Sequence, residues 1–248
     1  MSRISNFVKE NLSFIVGIKH FCSFVNVRFI KPKNRKSFGY FGCTTLLKTP
    51  AMITTPANVF LHEDIHIREG LTIINDTGKV VIKKFTGIAP DCTIVTGNHT
   101  PTVGVPHRLG GPCHINDNEK GVTIEEGVWI GTRVTLLSGA HVGRGAVIGA
   151  QSLVNKEIPP YAVAVGSPAK VIASVFSIEQ ILEHERHIYK PEERLSREYL
   201  EELFAKYYDG KKSIGKSDMS EEDRKKIKEA SQSLFNKIMV DNHNVVMG

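Results

Sequence analysis

The sequence is poor in cysteine, and its cysteines are not arranged in pairs. Four are present among 248 residues, and no two of them form a CxxC motif. They are Cys22, Cys43, Cys92 and Cys113. This spacing argues against a disulfide framework and against a zinc ribbon, and it favours the reducing environment of the cytoplasm.

The sequence also lacks a long uninterrupted apolar run. The longest candidate, residues 11–27, is broken by Lys19 and His20. It is shorter than the roughly 20 residues that a membrane-spanning helix needs. No small-residue cleavage site of a signal peptide follows it. We therefore expect neither a transmembrane helix nor a cleaved signal peptide.

Acidic residues are fewer than basic ones, with 26 Asp and Glu against 32 Lys and Arg, and the net charge is +6. This excess suits an anionic partner, but it does not distinguish a phosphorylated cosubstrate from nucleic acid or a membrane surface. Because nothing else in the sequence indicates nucleic-acid recognition, we expect no nucleic-acid partner.

What the sequence does contain is an apolar residue at every sixth position. One series consists of Ile124, Ile130, Leu136, Val142, Ile148 and Val154, and it has upstream members at Ile82, Ile88 and Ile94. A second series of small or β-branched residues stands four positions later, at Val128, Val134, Ala140, Ala146 and Ser152. An α-helix needs apolar steps of three and four, and a half-buried strand alternates every second residue. A sustained period of six instead predicts a mainly β chain folded as a parallel β-helix of hexapeptide repeats.

In such a β-helix each hexapeptide supplies one short strand and one corner, and both series of residues point into the core. Three glycines, Gly131, Gly143 and Gly149, directly follow members of the first series. We interpret them as corner residues that need unusual backbone dihedrals. The alternative fold, a meandering antiparallel β domain, would rarely keep one phase over so many units. The spacing alone does not determine the handedness of the coil.

Three regions differ in composition. Residues 1–50 form a basic and apolar extension, residues 51–172 the β-helix with an irregular loop at 100–121, and residues 173–248 a helical region. In the last region, Ser177 and Gln180 have the spacing of a helix capping box, and Ser220 suits an N-cap. Pro191 and Gly210 suggest a helix start and a helix stop. We expect three helices between residue 177 and about residue 238.

The N-terminal extension allows two interpretations. Its apolar residues Val8, Leu12, Ile15 and Cys22 share one face of a possible helix, and a basic cluster follows. The cluster consists of Arg28, Lys31, Lys33, Arg35 and Lys36. One hypothesis is a helix that lies on the anionic inner face of the membrane. The other, which we favour, is a helix that covers the open end of the β-helix.

The segments IAPDCTIVTGNH (88–99) and GVWIGTRVTLLSGAHVGRGAVIGAQSLVNKEIPPYAVAVGSPAKVI (127–172) resemble the hexapeptide-repeat acyltransferases. The similarity is greatest to the galactoside/maltose O-acetyltransferases and to the sugar O-acetyltransferases of surface polysaccharide synthesis. It covers roughly residues 41–172. The resemblance implies a left-handed β-helix, a homotrimer and an acyl-CoA bound in the groove between neighbouring subunits.

The resemblance also explains why the period of six stops after residue 99. It implies that His99 is the catalytic histidine and that loop 100–121 reaches toward the neighbouring subunit and closes the active site. The chemistry agrees, because acyl transfer to a hydroxyl needs a base, and a free imidazole titrates close to neutral pH. His99 would remove the hydroxyl proton and later return it to the departing thiolate.

The remaining site residues are also implied by the resemblance. The backbone N–H near Thr132 would stabilise the oxyanion. Trp129 would form a wall of the site, and Gly131 and Ala150 would line the pantetheine channel. Lys156 and Lys170 would lie near the phosphates of CoA, although either is equally compatible with an ordinary surface lysine.

The acceptor residues depart from the pattern of the galactoside enzymes. Those enzymes carry an asparagine two coils before the histidine, and Arg68 or Glu69 takes that place in this chain. The departure argues against a simple galactoside or maltose acceptor. Asp76 matches an acidic position beside the acceptor.

We expect no metal. A zinc site like that of the γ-carbonic anhydrases needs three histidines on this fold. His62, His66, His107 and His114 do not have the required spacing.

The sequence thus predicts a cytoplasmic, acetyl-CoA-dependent O-acetyltransferase that acts on a saccharide hydroxyl by direct transfer in a ternary complex. No serine or cysteine stands in an evident nucleophile motif, although Cys113 lies in the loop. Two alternatives remain open. One is N-acetylation of an amino sugar or nucleotide sugar, and the other is a trimeric scaffold without activity. The acceptor sugar, the position acetylated, the acyl chain length and the role of the C-terminal helices do not follow from the sequence.

Overall fold

A computed structural model describes residues 16–231 of the chain. The chain divides into two compact units, the first ending at Ala173 and the second beginning at Ser174.

The described residues contain eighteen short strands in three sheets. The first sheet holds β1 (Tyr40–Phe41), β4 (Val59–Leu61), β7 (Val80–Ile82), β10 (Val122–Ile124), β13 (His141–Val142) and β16 (Glu157–Ile158). The second holds β2 (Leu46–Leu47), β5 (His66–Ile67), β8 (Gly87–Ile88), β11 (Trp129–Ile130), β14 (Val147–Ile148), β17 (Ala162–Val165) and β18 (Lys170–Ser174). The third holds β3 (Met52–Ile53), β6 (Thr72–Ile74), β9 (Thr93–Val95), β12 (Thr135–Leu136) and β15 (Leu153–Val154).

Successive strands up to β17 belong to different sheets, and each strand up to β14 stacks on the strand three places later in the chain. The pairing is parallel, as in β7 on β10 and β10 on β13. A chain that visits three sheets in turn and returns in parallel register is a parallel β-solenoid. The structure therefore confirms the mainly β, parallel β-helix fold with a helical C-terminal region.

The core consists of the two series of residues at six-residue spacing. Ile124, Ile130, Val142 and Ile148 are fully buried, and the small residues of the second series are buried with them. Parallel register stacks like residues, so that Ile88, Ile130 and Ile148 form one column through the second sheet. Full burial of each such aliphatic side chain stabilises the folded state by roughly 1.5–3 kcal/mol relative to leaving it exposed. The period of six is thus the period at which the chain returns an apolar side chain to the core.

The glycines that follow the core residues have a different role from the predicted one. Gly131 and Gly143 do not have positive φ. A Cβ on Gly131 would lie 2.6 Å from the backbone nitrogen of Ala150, and one on Gly143 would lie 2.5 Å from that of Pro160. These positions therefore require glycine because the next coil approaches closely. The left-handed corners are instead occupied by residues such as Arg133 and Gln151, with φ of 57° and 60°.

The N-terminal segment lies against the first turn of the solenoid. Residues 16–25 are helical and lead into a π-helical turn at Asn26–Ile30 and two short 3-10 turns, Lys31–Lys33 and Arg35–Ser37. Pro32 and Phe38 are buried, and the carbonyl of Arg28 accepts a hydrogen bond of 2.9 Å from the N–H of Ala51, next to β3. Residues 26–38 thus cover part of the first turn, whereas the predicted face residues Val8, Leu12 and Ile15 lie outside the described residues.

Between β9 and β10 the chain leaves the solenoid for residues 96–121, which include one short helix, α1 (His107–Gly110). The C-terminal unit holds α2 (Ile178–Ile188) and α3 (Arg197–Tyr207). The predicted capping box of Ser177 and Gln180 is present at the start of α2.

The second C-terminal helix does not begin near Pro191. That proline opens a 3-10 turn, Pro191–Glu193, and α3 begins after the N-cap Ser196. Residues 221–231 are helical after Ser220, and the predicted continuation to residue 238 lies outside the described residues. In residues 16–231, no helix is long and apolar enough to cross a membrane.

Candidate active site

The returning end of the long loop is fixed to the solenoid by one carboxylate, that of Glu119. It accepts hydrogen bonds from the N–H of Asp76 at 3.1 Å and from the N–H of Thr77 at 2.9 Å. The hydroxyls of Thr77 and Thr96 also donate to it. Desolvation raises the pKa of Glu119, but these hydrogen bonds outweigh it and lower the pKa to about 2. The loop therefore leaves the coil beside Thr96 and is brought back to the same place.

This closure places Asp117 beside His99. The Nδ1 atom of His99 lies 3.1 Å from Oδ1 and 3.2 Å from Oδ2 of Asp117. An ionised carboxylate only accepts hydrogen bonds, so in the neutral imidazole the proton is on Nδ1 and the lone pair is on Nε2. The side chain of His99 is 59% exposed, whereas that of Asp117 is 15% exposed. His99 is therefore an oriented imidazole whose basic nitrogen remains accessible.

A second loop histidine, His114, shares the same carboxylate. Its Nδ1 atom lies 2.9 Å from Oδ2 of Asp117, and its Nε2 atom lies 3.4 Å from Oδ2 of Asp76. Desolvation raises the pKa of Asp117, but the hydrogen bonds to His99 and His114 outweigh it and hold the pKa below its usual range. His114 thus links the loop to Asp76 on the solenoid.

A cavity of about 280 Å³ is bordered by Asp76, His99, His114 and Asp117. Its polar lining comes from two successive coils and the loop. It consists of Thr54, Thr55, Asn75, Asp76, Asn98, His99, His114, Asp117 and Glu119. Asn75 is buried, and its side chain bonds the backbone of Thr55 through both its oxygen and its nitrogen.

Of the three predicted acceptor residues, the structure brings only Asp76 to this cavity. Arg68 and Glu69 lie at the corner between β5 and β6, where they form an ion pair of 3.1 Å. The hydrogen bond from Arg68 lowers the pKa of Glu69 to about 2. Neither residue belongs to the lining of the cavity beside His99.

The residues predicted to bind acyl-CoA lie elsewhere on the protomer. Trp129 is in β11 and is 54% exposed, and its ring covers Gly87 of the preceding coil, where a Cβ would come within 2.8 Å of it. The backbone of Ala150 approaches the buried Gly131 closely, and the carbonyl of Thr132 accepts a hydrogen bond of 2.8 Å from the N–H of Gln151. None of these four predicted residues lines the cavity beside His99.

The two predicted phosphate-binding lysines are exposed and come from the last coils. Lys156 lies between β15 and β16, and Lys170 opens β18. In residues 16–231 no group of three or more His, Cys, Asp or Glu side chains is placed to hold a metal ion. All four cysteines are free, and Cys113 is exposed.

Sequence reasoning missed Asp117 and Glu119, and it considered His114 only as a metal ligand. The segment HINDNEK carries a histidine and two carboxylates within six residues, close to where the period of six resumes. This concentration of ionisable groups at the end of an irregular loop is the feature of the sequence that could have identified Asp117 and Glu119 as site residues.

Residues 121–156 match the family described as bacterial transferase hexapeptide, six repeats. A Saccharomyces cerevisiae protein provisionally named an acetyltransferase is 33% identical over 130 residues, which are 52% of this chain and 63% of that protein. The galactoside O-acetyltransferase of Escherichia coli strain K12 is 29% identical over 161 residues, which are 62% of this chain and 70% of that enzyme. The chain thus spans less than two thirds of the length of the yeast relative.

A solved structure of a galactoside acetyltransferase in complex with coenzyme A has a TM-score of 0.53 with this chain and is 24% identical. The match covers 72% of this chain and 87% of that one, and it is a likeness of fold. The repeat match and the three parallel sheets define the class of protein. This chain folds as a parallel β-solenoid, and its residues 121–156 match hexapeptide repeats, as the sequence resemblance predicted. The yeast and Escherichia coli relatives both carry acetyltransferase names.

Proposed function

We propose that this chain is an acetyl-CoA-dependent O-acetyltransferase that acts on a saccharide hydroxyl. The observation that carries the proposal is the position of His99, whose Nδ1 atom is 3.1 Å from Asp117 while its ring borders the cavity. An imidazole held in this way is a general base with a defined tautomer. The acetyltransferase names of the relatives support acetyl transfer as the reaction.

In the proposed reaction, Nε2 of His99 removes the proton of the acceptor hydroxyl as its oxygen attacks the thioester carbon. The C–O bond forms and the carbonyl oxygen becomes negatively charged. When the tetrahedral intermediate collapses, the C–S bond breaks and the imidazolium returns the proton to the thiolate. The products are the acetyl ester and free CoA, and no acyl-enzyme is required. General base catalysis of this kind contributes roughly 100- to 10,000-fold in rate.

The acetyl-CoA site would use the surface formed by Trp129 and Ala150, both of which are exposed. Gly131 lies buried against the backbone of Ala150, where a Cβ would come within 2.6 Å of the Ala150 nitrogen. The exposed ammonium groups of Lys156 and Lys170 would pair with phosphates of the cosubstrate. The N–H of Thr132 would stabilise the developing oxyanion.

We propose that the working unit is a homotrimer. Trp129, Gly131 and Thr132 are outside the cavity that contains His99 in one protomer. A neighbouring copy that presents these residues to the cavity would complete the site. Free cysteines fit a cytoplasmic protein, and we place the reaction in polysaccharide biosynthesis, where sugars are modified before export.

The first test is the acceptor-dependent release of CoA thiol from acetyl-CoA. The acceptor panel contains free sugars, amino sugars, nucleotide sugars and lipid-linked glycans, and the variants are wild type, His99→Ala and His187→Ala. His187 is an exposed histidine of α2 paired with Glu183, so its variant controls for the loss of a surface imidazole.

We expect a hydroxyl acceptor to release thiol with the wild type and with His187→Ala. His99→Ala should lower kcat by roughly 100-fold or more. Turnover only with amino sugars would favour N-acetylation. Undiminished turnover by His99→Ala would reject His99 as the base, and the absence of both turnover and CoA binding would favour a scaffold.

A further inference from the structure

We propose that the N-terminal segment, residues 16–36, binds the surface of an anionic phospholipid bilayer. The proposal is independent of the reaction proposed above. It rests on an exposed apolar helix face, on the charge of the surrounding chain and on the way in which the segment is held to the solenoid.

The apolar face belongs to helical residues 16–25. Ile18, Phe21, Cys22 and Val25 have the spacing i, i+3, i+4 and i+7, which places them on one side of the helix. This side is not buried against the protomer, because Phe21 is 67% exposed and Ile18 is 48% exposed. Lys19, His20 and Ser23 fall on the opposite side. A short helix with one apolar and one polar face is typical of interfacial binding.

The surrounding chain is strongly cationic. Residues 11–62 contain no Asp or Glu. Their basic residues are Lys19, Arg28, Lys31, Lys33, Arg35, Lys36 and Lys48. Lys31, Lys33, Arg35 and Lys36 are exposed and follow the helix directly. A run of cations next to exposed phenylalanines matches the negative headgroups and the apolar layer beneath them.

The part of the segment that follows the helix is anchored to the first turn of the solenoid. Arg35 lies over the ring of Phe41 at 4.9 Å, and Pro32 and Phe38 are buried against the chain. Further apolar side chains, Phe24 and Ile30, are 54% and 59% exposed. A lipid surface would remove these side chains from water at the same time as it neutralises the lysines.

The same features disfavour the other occupants. A second copy of this chain on the face would bring two acid-free cationic segments together, which is electrostatically unfavourable. A nucleic acid would pair with the cations but would leave Ile18 and Ile30 without an apolar partner. The bilayer is the one occupant that uses both parts of the segment.

The test is flotation of the full chain with phosphatidylcholine vesicles, with and without 30 mol% phosphatidylglycerol. The variants are Lys31→Glu with Lys36→Glu, and Phe21→Ser with Phe24→Ser. The matched control is Lys211→Glu with Lys212→Glu, which makes the same charge change at exposed lysines of the C-terminal unit. Circular dichroism and analytical ultracentrifugation establish that each variant keeps its fold and its oligomeric state.

We expect the wild type and the control to float with anionic vesicles only, and less so as salt is raised. Losing two lysines near the surface should lower the partition coefficient by on the order of 30-fold, and reversing their charge by more. The phenylalanine variant should also lose flotation. No flotation of the wild type, or equal flotation of all variants, would overturn the proposal. It would also be overturned if the phenylalanine variant changed only the oligomeric state, or if RNA bound while vesicles did not.

Discussion

The Nδ1 atom of His99 and the carboxylate of Asp117 are 3.1 Å apart, although eighteen positions of irregular chain separate the two residues. The pair exists only when the loop returns to the solenoid. The orientation of the proposed base is therefore coupled to the closure of the loop, which Glu119 stabilises through its bonds to Asp76 and Thr77.

Replacement of Asp117 by asparagine should lower kcat on the order of 100-fold, because an amide can stabilise the wrong tautomer of His99. The KM for acetyl-CoA should change little, since the side chain of Asp117 contacts His99 and His114 and none of the residues proposed for CoA. Steady-state kinetics on both substrates measures the two effects. Asp209→Asn, an exposed position of the C-terminal unit, is the control. An unchanged kcat would remove the role assigned to the pair.

The substitution Glu119→Gln should lower the free energy of unfolding by about 1–2 kcal/mol near neutral pH. This range allows for the solvent screening of a partly exposed carboxylate. The folded pKa of Glu119 is about 2, below its ordinary value of 4.5. The unfolded chain therefore binds more protons between these values, and the stabilisation is complete above pH 4.5 and lost as pH falls toward 2. Urea unfolding of both proteins from pH 7 downward should show their difference shrinking below pH 4.5. A difference independent of pH would contradict this account.

Trp129 is the only tryptophan of the chain, so its fluorescence reports on one site. If its ring forms a wall of the acyl-CoA site, acetyl-CoA should quench or shift its emission at saturation. Gly87→Ala should alter the emission even without ligand, because the new Cβ would meet the ring at 2.8 Å and displace it. Binding detected by calorimetry without any change in emission would place acetyl-CoA away from Trp129.

The core columns should dominate stability. Ile148→Ala removes a fully buried side chain that is stacked under Ile130, and we expect a loss of about 2–4 kcal/mol in urea unfolding. Ile172→Ala is the matched control, because Ile172 is 53% exposed in β18 and its truncation should cost less than about 0.5 kcal/mol. Equal losses at the two sites would show that the stacked columns do not determine stability.

The sequence predicted the fold because a solenoid repeats one local rule. Every sixth residue faces the core, so Ile88, Ile130 and Ile148 are recognisable without knowledge of their partners. The role of the glycines was interpreted wrongly for a related reason. Spacing reveals that Gly131 must lack a side chain, but it does not distinguish a special dihedral from the approach of Ala150, which comes from the next coil.

The candidate site was less predictable. His99 and Asp76 were reached through resemblance, whereas Asp117, His114 and Glu119 lie in a part of the loop that has no repeat. Their positions depend on hydrogen bonds between residues up to 43 positions apart. A repeat pattern in the sequence does not predict such contacts. It does not predict residues contributed by a neighbouring subunit either.

The cover that residues 26–38 place on the first turn has a consequence for solubility. The strands β1, β2 and β3 are the terminal strands of the three sheets, and a stack of parallel strands with a bare end is a template for further strands. Buried Pro32, which cannot donate a backbone hydrogen bond, and the packed Phe38 occupy the approach to that end. The segment therefore occupies part of the end at which a further parallel coil would add to the stack.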